Sequence, residues 1–454
     1  MGKKSLVSLV LFGGIALNLA LGFQPWNHDT FFPAFLLVTA CGLLLFFLLV
    51  RRKGVPRRGL SAGALAFFTL VAAGSGYVLF QEIRYDELEK RWAIPADVPK
   101  DPEWKGYWVT GDALVRARVD GVFAHGLKDG KELWNHRVSA PEEVCGTSSS
   151  ADEGVGLVSS ATKGGICDRV TALDLNTGRP LWTHGTSENP DEHRGYLTGV
   201  AADSGIAAVF SSVGLDVLDL RTGEPRRTPR PPSGCRPRAW DDSLALDGGR
   251  VAAVFFCAKD DSVRLVVNEL GTGSSWSAVL GTGVPLGEAS VLSADPVVVR
   301  SRKTADVGRE LLVFEAATGR RLAALPADTL ARDLPVLVGE ERIHTVVDQS
   351  GTTSVRALSF TGEILWSARF EDGVEAVHLT GSELLVAASS GGAPAALAVL
   401  DPASGAETHR SHVPRAFSRP RVLELHSTPE LALFIDPGSW SDAPETQAFG
   451  SWKK

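Results

Sequence analysis

The sequence has few of the residues that most directly mark an active site. Its 454 residues include five cysteines, four tyrosines and one methionine. It contains no C-x-x-C pair, which argues against thiol redox chemistry and a zinc ribbon, and no G-x-S-x-G motif. The ten histidines are scattered, and His409 and His412 stand three apart without further ligands nearby, as expected of solvated loop histidines. We therefore predict no catalytic residue, no metal site and no cofactor, and expect a protein that is not an enzyme.

Charge is absent from three N-terminal runs, residues 5–23, 31–50 and 60–80. Each is about long enough to cross the hydrocarbon core of a bilayer as a helix. Lysine and arginine occur before the first run and in the loop 51–58 but not in the loop 24–30, so the N-terminus is predicted to be cytoplasmic and everything after residue 80 to lie outside. The alternative is that the first run is a cleaved signal peptide, although no A-x-A site follows it. Transport through these spans is not expected, because they carry no charge.

The remainder of the chain is acidic and contains four of the five cysteines. Residues 81–454 carry 39 basic and 52 acidic side chains, which argues against nucleic acid as a partner. Cys41 lies in the second apolar run, whereas Cys145 and Cys167, and Cys235 and Cys257, form two pairs with the same spacing of 22 residues. In an exported domain this spacing predicts two disulfides.

A short segment, "ALDLNTGRPLW" at residues 172–182, recurs in weaker copies along most of the chain. The recurring corner is marked by a glycine, found at Gly130, Gly178, Gly223, Gly273, Gly319, Gly362 and Gly405. Successive corners are 43 to 50 residues apart, and each repeat contains about four short β-type runs without helical periodicity. Four strands in a repeat of this length are typical of a β-propeller blade.

The residues of the corner have a physical interpretation. The glycine can adopt the positive φ that a hairpin bulge requires, and Asp174 or Asn176 can bond the turn backbone. Trp182 is then predicted to lie on the outer strand and to pack between adjacent blades, with Trp134 and Trp366 at the same position in other copies. Other copies have Arg227, Ser277, Ala323 or His409 there, so a tryptophan is not obligatory.

The pattern A-x-D-x-x-T-G-x-x-x-W, complete in Ala172, Asp174, Thr177, Gly178 and Trp182, resembles the repeat of the pyrroloquinoline-quinone-like (PQQ-like) β-propellers. The resemblance covers roughly residues 90–454. It implies an all-β propeller and says little about activity, since the family includes quinone-dependent dehydrogenases and also cofactor-free scaffolds such as the lipoprotein of the outer-membrane β-barrel assembly machinery. The dehydrogenases would need a calcium-bound cofactor and usually adjacent cysteines, which are absent here.

The expected organisation is an anchor at residues 1–80, a stalk at 81–104 and a propeller ectodomain within 90–454. Eight blades are predicted, with seven as the alternative, because strand-like runs follow the seventh corner and the segment "KRWAIPADV" could supply their missing outer strand. The run "IRYDELEKRW" could instead extend the third span as a short amphipathic helix. Each disulfide is predicted to join the first strand of a blade to the end of the second strand, in blades 2 and 4.

These features lead to three hypotheses for function. The first is a bacterial, membrane-tethered, extracytoplasmic scaffold for other membrane or cell-envelope proteins. The second is a module that binds a small ligand on the propeller axis, and the third is a quinone-dependent oxidoreductase. The arginine- and proline-rich run from Arg226 to Arg238 is either a docking loop for an acidic partner or a stiff connector, and the connector is favoured.

Overall fold

The structure is a computed structural model. It describes residues 86–94, 103–162, 167–186, 199–211, 214–226, 229–237, 243–282, 289–302, 309–326, 336–349, 352–371, 373–389, 394–414, 424–437 and 445–450. The predicted membrane runs 5–23, 31–50 and 60–80 lie outside these residues. Within them, no helix has the length and apolar character needed to cross a membrane.

The described strands form eight antiparallel sheets, each of which is one blade of a propeller. Blades 1 to 4 comprise Trp104–Val109, Ala113–Arg118, Gly121–Gly126 and Glu132–Arg137; Glu142–Thr147, Val155–Thr162, Arg169–Asp174 and Pro180–Gly185; Val200–Asp203, Ile206–Ser211 and Gly214–Asp219; and Leu244–Asp247, Arg250–Cys257, Ser262–Glu269 and Ser275–Thr282. A short strand, Cys235–Pro237, also pairs with the second strand of blade 4. In blade 3, only a bridge between Leu218 and Pro225 stands in place of a fourth strand among the described residues.

Blades 5 to 8 complete the ring. They comprise Ala289–Ala294, Val297–Arg302, Arg309–Phe314 and Arg321–Pro326; Leu337–Val338, Ile343–Gln349, Thr352–Leu358 and Ile364–Phe370; Gly373–Leu379, Leu384–Ser389, Pro394–Leu400 and Glu407–His412; and Glu424–Ser427, Leu431–Asp436 and Glu445–Gly450. First strands of neighbouring blades contact one another, as in blades 1 and 2 or 7 and 8, and therefore form the inner wall. Second strands such as Ala113–Arg118 are fully buried, whereas fourth strands such as Glu132–Arg137 are largely exposed. The prediction of eight blades is confirmed.

An N-terminal strand closes the ring. Glu89–Ile94 pairs antiparallel with Glu445–Gly450 and becomes the fourth strand of blade 8. Asp86–Glu87, just before it, pairs in parallel with the fourth strand of blade 7. The predicted closure by "KRWAIPADV" is thus confirmed, and the alternative of an amphipathic helix in this segment is wrong. In this segment, pairing with the open edge of blade 8 stabilises a strand more than the local sequence pattern stabilises a helix. The pairing satisfies backbone N–H and C=O groups of both the N-terminal and the C-terminal strand.

The corner glycines have the backbone conformation that the repeat predicted. All seven have positive φ, between 68° and 91°. Of the two candidates for bonding the turn, Asp174 does so, since its Oδ1 accepts from the backbone N–H groups of Asn176 (2.9 Å) and Thr177 (3.1 Å).

Each tryptophan of the outer strands packs on the corner glycine of the next blade. Trp134 lies against Gly178, and Trp182 lies against Gly223. The indole Nε1 of Trp182 also donates to the Leu220 carbonyl, at 2.9 Å. The same packing is formed by Trp92 on Gly130, Trp276 on Gly319, and Trp366 on Gly405. An added Cβ at any of these corners would collide with the indole, so the glycine is required twice, for its φ and for its lack of a side chain.

The expectation that the fourth copy lacks this tryptophan is wrong. The expected position holds Ser277, but Trp276, one residue earlier, packs on Gly319 and donates to the Ala316 carbonyl at 2.8 Å. A shift of one residue along a strand normally moves a side chain to the opposite face. In blade 2 the fourth strand bulges between Pro180 and Trp182, next to the corner, whereas in blade 4 the register shift lies at Val263 and Arg264, away from it. A fixed spacing from the glycine cannot show this difference.

Both predicted disulfides are present, linking Cys145 to Cys167 and Cys235 to Cys257. Their predicted placement is only partly correct. Cys257 ends the second strand of blade 4, but Cys235 lies in the additional strand Cys235–Pro237 rather than in the first strand. In blade 2, Cys145 lies in the first strand, whereas Cys167 precedes the third strand, because the second strand has already ended at Thr162.

A substitution at one corner tests the tryptophan–glycine packing. We expect Gly178→Ala to lower the free energy of unfolding by about 2 kcal/mol or more, since alanine is strained at a φ of 70° and its Cβ would displace Trp134. Gly185→Ala is the matched control in the same blade, because an added Cβ there meets no atom within 4 Å, and its effect should stay within about 0.5 kcal/mol. Thermal and denaturant unfolding of the full chain in detergent measures both. Equal effects of the two substitutions would show that the packing does not stabilise the ring.

Candidate functional site

A cluster of four ionisable side chains lies on the innermost strands of three consecutive blades. His378 comes from the first strand of blade 7, Glu424 and His426 from that of blade 8, and Tyr107 from that of blade 1. Glu424 and His426 are two residues apart on one strand and therefore share a face. The ring centroids of His378 and His426 are 4.4 Å apart, and those of Tyr107 and His426 are 6.3 Å apart.

A carboxyl group and a phenol interact directly in this inner-strand cluster. The side chains of Glu424 and Tyr107 are hydrogen-bonded. Burial raises the pKa of the Glu424 carboxyl to about 7, and the bond to Tyr107 opposes that rise. Burial, and next the Glu424 carboxylate, raises the pKa of the Tyr107 phenol. Since the phenol stays protonated, it donates and the carboxylate accepts.

The two histidines are neutral near pH 7. Burial lowers the pKa of His378 to about 4, with the neighbouring His426 as a second cause. Burial alone lowers the pKa of His426 to about 4. Each imidazole therefore offers one donor and one acceptor. Together with Glu424, whose proton exchanges near neutral pH, they form a polar surface suited to hydrogen-bonding a small ligand.

The inner-strand cluster does not match what a calcium-bound quinone requires. Calcium is held by six to eight oxygen ligands. Within the described parts of the chain, no three His, Cys, Asp or Glu side chains are grouped so that they could hold a metal ion. The four cysteines of the propeller are committed to disulfides in separate blades, so no adjacent pair is available.

Aspartates at the turns between first and second strands tie successive blades together. Asp152 Oδ2 accepts from the backbone N–H of Gly205 in the next blade, at 2.7 Å. Asp203 Oδ2 does the same for Gly248, at 2.9 Å. Burial, and next the Asp203 carboxylate, raises the pKa of Asp247 in the following blade. These carboxylates satisfy turn amides, and their role here is structural.

The sequence features considered as possible sites lie elsewhere. His409 and His412 belong to the fourth strand of blade 7 rather than to a loop, and His409 Nε2 bonds Ser411 Oγ at 2.8 Å. In the arginine- and proline-rich run, Arg226 pairs with Asp219 at 2.7 Å, and the ring of Pro231 lies close to Gly214 of blade 3. This packing against a blade edge agrees with the favoured connector role.

Sequence reasoning did not find the inner-strand cluster. Its members are spread from residue 107 to residue 426, and no local motif links them. The only available signal was that Glu424 and His426 alternate on a strand with apolar neighbours, a weak pattern on its own. Ring closure brings the first and last blades together and so creates the cluster.

Eight blades, closed by an N-terminal strand and carrying the repeated glycine corner, define a PQQ-like β-propeller. The family model described as outer membrane protein assembly factor BamB matches residues 89–325, just over half of the chain. The chain belongs to this family. No curated protein matches it in sequence.

Solved structures resemble the chain at low identity. BamB from Moraxella catarrhalis is 17% identical, with a TM-score of 0.45 over 81% of this chain and 98% of that one. Quinohemoprotein alcohol dehydrogenase ADHIIG from Pseudomonas putida HK5 is 11% identical, with a TM-score of 0.51 over 81% and 77%. Sqt1 from Saccharomyces cerevisiae is also 11% identical, with a TM-score of 0.50 over 81% and 100%. The likenesses to the dehydrogenase and to Sqt1 establish the fold alone.

The pH dependence of stability tests the burial of Glu424. Because its folded pKa of about 7 exceeds its usual 4.5, its contribution to stability is complete below pH 4.5 and is lost as pH rises to about 7. We expect Glu424→Gln to remove this loss, so that the variant gains relative to wild type between pH 4.5 and 7, by up to about 3 kcal/mol. Unfolding midpoints measured across that range check it, with the exposed Glu430→Gln of the same blade as control.

His378 and His426 should give a pH dependence of stability with the opposite sign to that of Glu424. Their folded pKa values of about 4 lie below the usual 6.5, so their contribution to stability is lost as pH falls from 6.5 towards 4. His378→Gln should therefore flatten the acid side of the profile and leave the change between pH 6.5 and 7 unaltered. A profile in which both variants run parallel to wild type would show that the inner-strand cluster is solvated.

Proposed function

We propose that this protein is a membrane-tethered, extracytoplasmic β-propeller that serves as an interaction scaffold for other cell-envelope proteins. The observation that carries the proposal is the family match across residues 89–325 on a closed ring of eight blades. A closed propeller holds its shape through contacts between blades, and it can present a rigid surface without a cofactor.

The proposed location is supported by the two disulfides of the propeller and by the pattern of charge in residues 1–80. Two disulfides within the propeller are typical of a compartment outside the cytoplasm. The charge-free runs 5–23, 31–50 and 60–80, with Lys or Arg before the first run and in the loop 51–58 but none in the loop 24–30, support a three-span anchor with a cytoplasmic N-terminus.

A small-ligand module is the second candidate, and the inner-strand cluster favours it. Glu424, Tyr107 and two neutral histidines place donors and acceptors together on the inner wall. Such convergent polar groups within a rigid frame are what small-molecule sites require. A quinone-dependent oxidoreductase is the third candidate, and it rests on the fold shared with the dehydrogenases.

Topology can be measured by lysine labelling of intact spheroplasts. A membrane-impermeant amine reagent should modify lysines of the propeller, such as the exposed Lys128 and Lys131, and should leave Lys53 unmodified until the membrane is opened. Peptide mapping by mass spectrometry distinguishes the two groups. Labelling of Lys53 and protection of Lys131 in sealed cells would reverse the proposed orientation.

The scaffold proposal predicts discrete partners in the native membrane. Photoreactive amino acids placed in the full chain at the exposed Leu133 and Ile364 should give defined adducts with envelope proteins on illumination. The purified full chain should show neither a thermal shift nor dye-linked alcohol oxidation when PQQ and calcium are added. A shift of several degrees, with turnover and without adducts, would favour the oxidoreductase instead.

A further inference from the structure

A cleft of about 200 Å³ opens between blades 1 and 2. The apolar part of its lining is formed by Val122, Val138, Val144, Val158, Leu173 and Pro180, and the remainder is polar or charged. A dry apolar cavity of about 150 Å³ accommodates benzene, so this cleft has room for one branched or aromatic side chain.

The equivalent space between blades 7 and 8 is filled by the chain itself. Asp86 and Glu87 pair in parallel with Ser411 and His412 on the outer edge of blade 7. Leu88 follows, its backbone N–H donates to the His412 carbonyl at 2.8 Å, and its side chain is 2% exposed. That side chain packs among core residues of both blades, which include Leu397, Val413, Leu425, Phe434 and Phe449.

The two spaces are equivalent by position in the repeat. Val122 and Leu397 each stand eight residues before the corner glycine of their blade, and Val138 and Val413 each stand eight residues after it. His136 likewise corresponds to Ser411, the partner of Asp86. The cleft therefore occupies the place in blades 1 and 2 that Leu88 fills in blades 7 and 8.

The cleft is open because a threonine, Thr171, stands where the neighbouring interface has an aspartate, Asp216. Between blades 2 and 3, the corresponding histidine, His184, reaches Asp216 at 3.0 Å and spans the gap. Between blades 1 and 2 the counterpart of Asp216 is Thr171, whose hydroxyl bonds Thr183 of its own blade at 3.3 Å. His136 thus lines the cleft without the acidic partner that closes the neighbouring one.

The strand edge beside the cleft is unpaired within the described residues: no strand there pairs with the outer side of Glu132–Arg137, the fourth strand of blade 1. The two fourth strands that border the cleft expose Leu133 and Leu181, at 57% and 39%. An unpaired edge next to an apolar cleft is the arrangement that accepts an added strand.

Charge at the cleft indicates which residue precedes the inserted side chain. In blade 7 the acidic Glu87 stands opposite His412, and Arg137 holds that position in blade 1. The Arg137 side chain lies beside the cleft rather than in its lining; it is 64% exposed, stands 3.7 Å from Asp120 and stacks over the Phe123 ring at 5.1 Å. Arg169, which does line the cleft, pairs with Glu142 at 2.7 Å, so this second pair is neutral as a whole.

We propose that the cleft between blades 1 and 2 receives an extended segment of a partner protein, in which an acidic residue is followed by an aliphatic one. The segment pairs in parallel with Glu132–Arg137, and its aliphatic side chain enters the cleft as Leu88 does between blades 7 and 8. This inference rests on the proposed scaffold function and names the surface that would serve it.

The chain's own segment provides a probe. A peptide with the sequence of residues 85–90, YDELEK, carrying a photoreactive group in place of its tyrosine ring, is mixed with the full chain in detergent and illuminated. We expect saturable adducts on residues 132–142 or 180–185. Replacing the peptide's leucine with aspartate should reduce their yield at least tenfold. Adducts confined to residues 407–412, or none, would overturn the proposal.

A matched pair of variants separates cleft binding from general effects. Thr183 is exposed and lines the cleft, so Thr183→Trp should fill it without unfolding the chain and should abolish at least nine-tenths of the adducts. Ser367→Trp, at the same position in blade 6, should leave them unchanged. Unaltered thermal midpoints confirm that both variants are folded.

The same variants distinguish this inference from the scaffold proposal. If the membrane adducts formed from Leu133 survive in Thr183→Trp, the scaffold stands and the cleft is not its docking surface. If purified full chain associates with itself and Thr183→Trp prevents it, the occupant is a second copy and the inference of a different partner is wrong. Loss of both the peptide and the membrane adducts in Thr183→Trp, with Ser367→Trp unaffected, supports the proposal.

Discussion

The packing of a tryptophan on the corner glycine of the next blade is the contact on which the ring depends. It occurs between at least five neighbouring pairs, and in four of them the indole also donates to a carbonyl three residues before that glycine. One large flat side chain thus sets both the spacing and the register of adjacent sheets. The receiving residue must have positive φ and no Cβ, so the glycine corner both forms the turn and receives the indole.

Ring closure follows from the same contact. Glu89–Ile94 completes blade 8 and brings Trp92 onto Gly130 of blade 1, so the last interface is built like the internal ones. Closure also places Tyr107 of the first blade beside Glu424 and His426 of the last. The inner-strand cluster therefore exists only in the closed ring, and its altered pKa values follow from the burial that closure produces.

The clefts between blades differ in what fills them. Between blades 7 and 8 the N-terminal segment inserts Leu88, and between blades 2 and 3 a His–Asp pair spans the gap. Between blades 1 and 2 the described residues supply neither, and they leave a cleft beside a strand edge that none of them pairs with. A repeat architecture makes such differences informative, since equivalent positions can be compared within one molecule. The interface between blades 7 and 8 is therefore the basis on which we infer what the cleft between blades 1 and 2 receives.

Local chemistry made the blades, their number and the disulfide pairs predictable from sequence. The Asp-x-x-Thr-Gly turn and the alternation of apolar residues are determined within a few residues of the chain, and the spacing of 22 marked both cysteine pairs. The one-residue shift that brings Trp276 onto Gly319, the course of Cys167 and the additional strand at Cys235 were not predictable, because each depends on pairing with a neighbouring strand. The inner-strand cluster and the cleft likewise join residues from separate blades. The sequence alone determined the repeating unit, and the tertiary structure decided which side chains meet, since contacts between blades depend on how neighbouring sheets pack and, for the inner-strand cluster, on the closure that brings the first and last blades together.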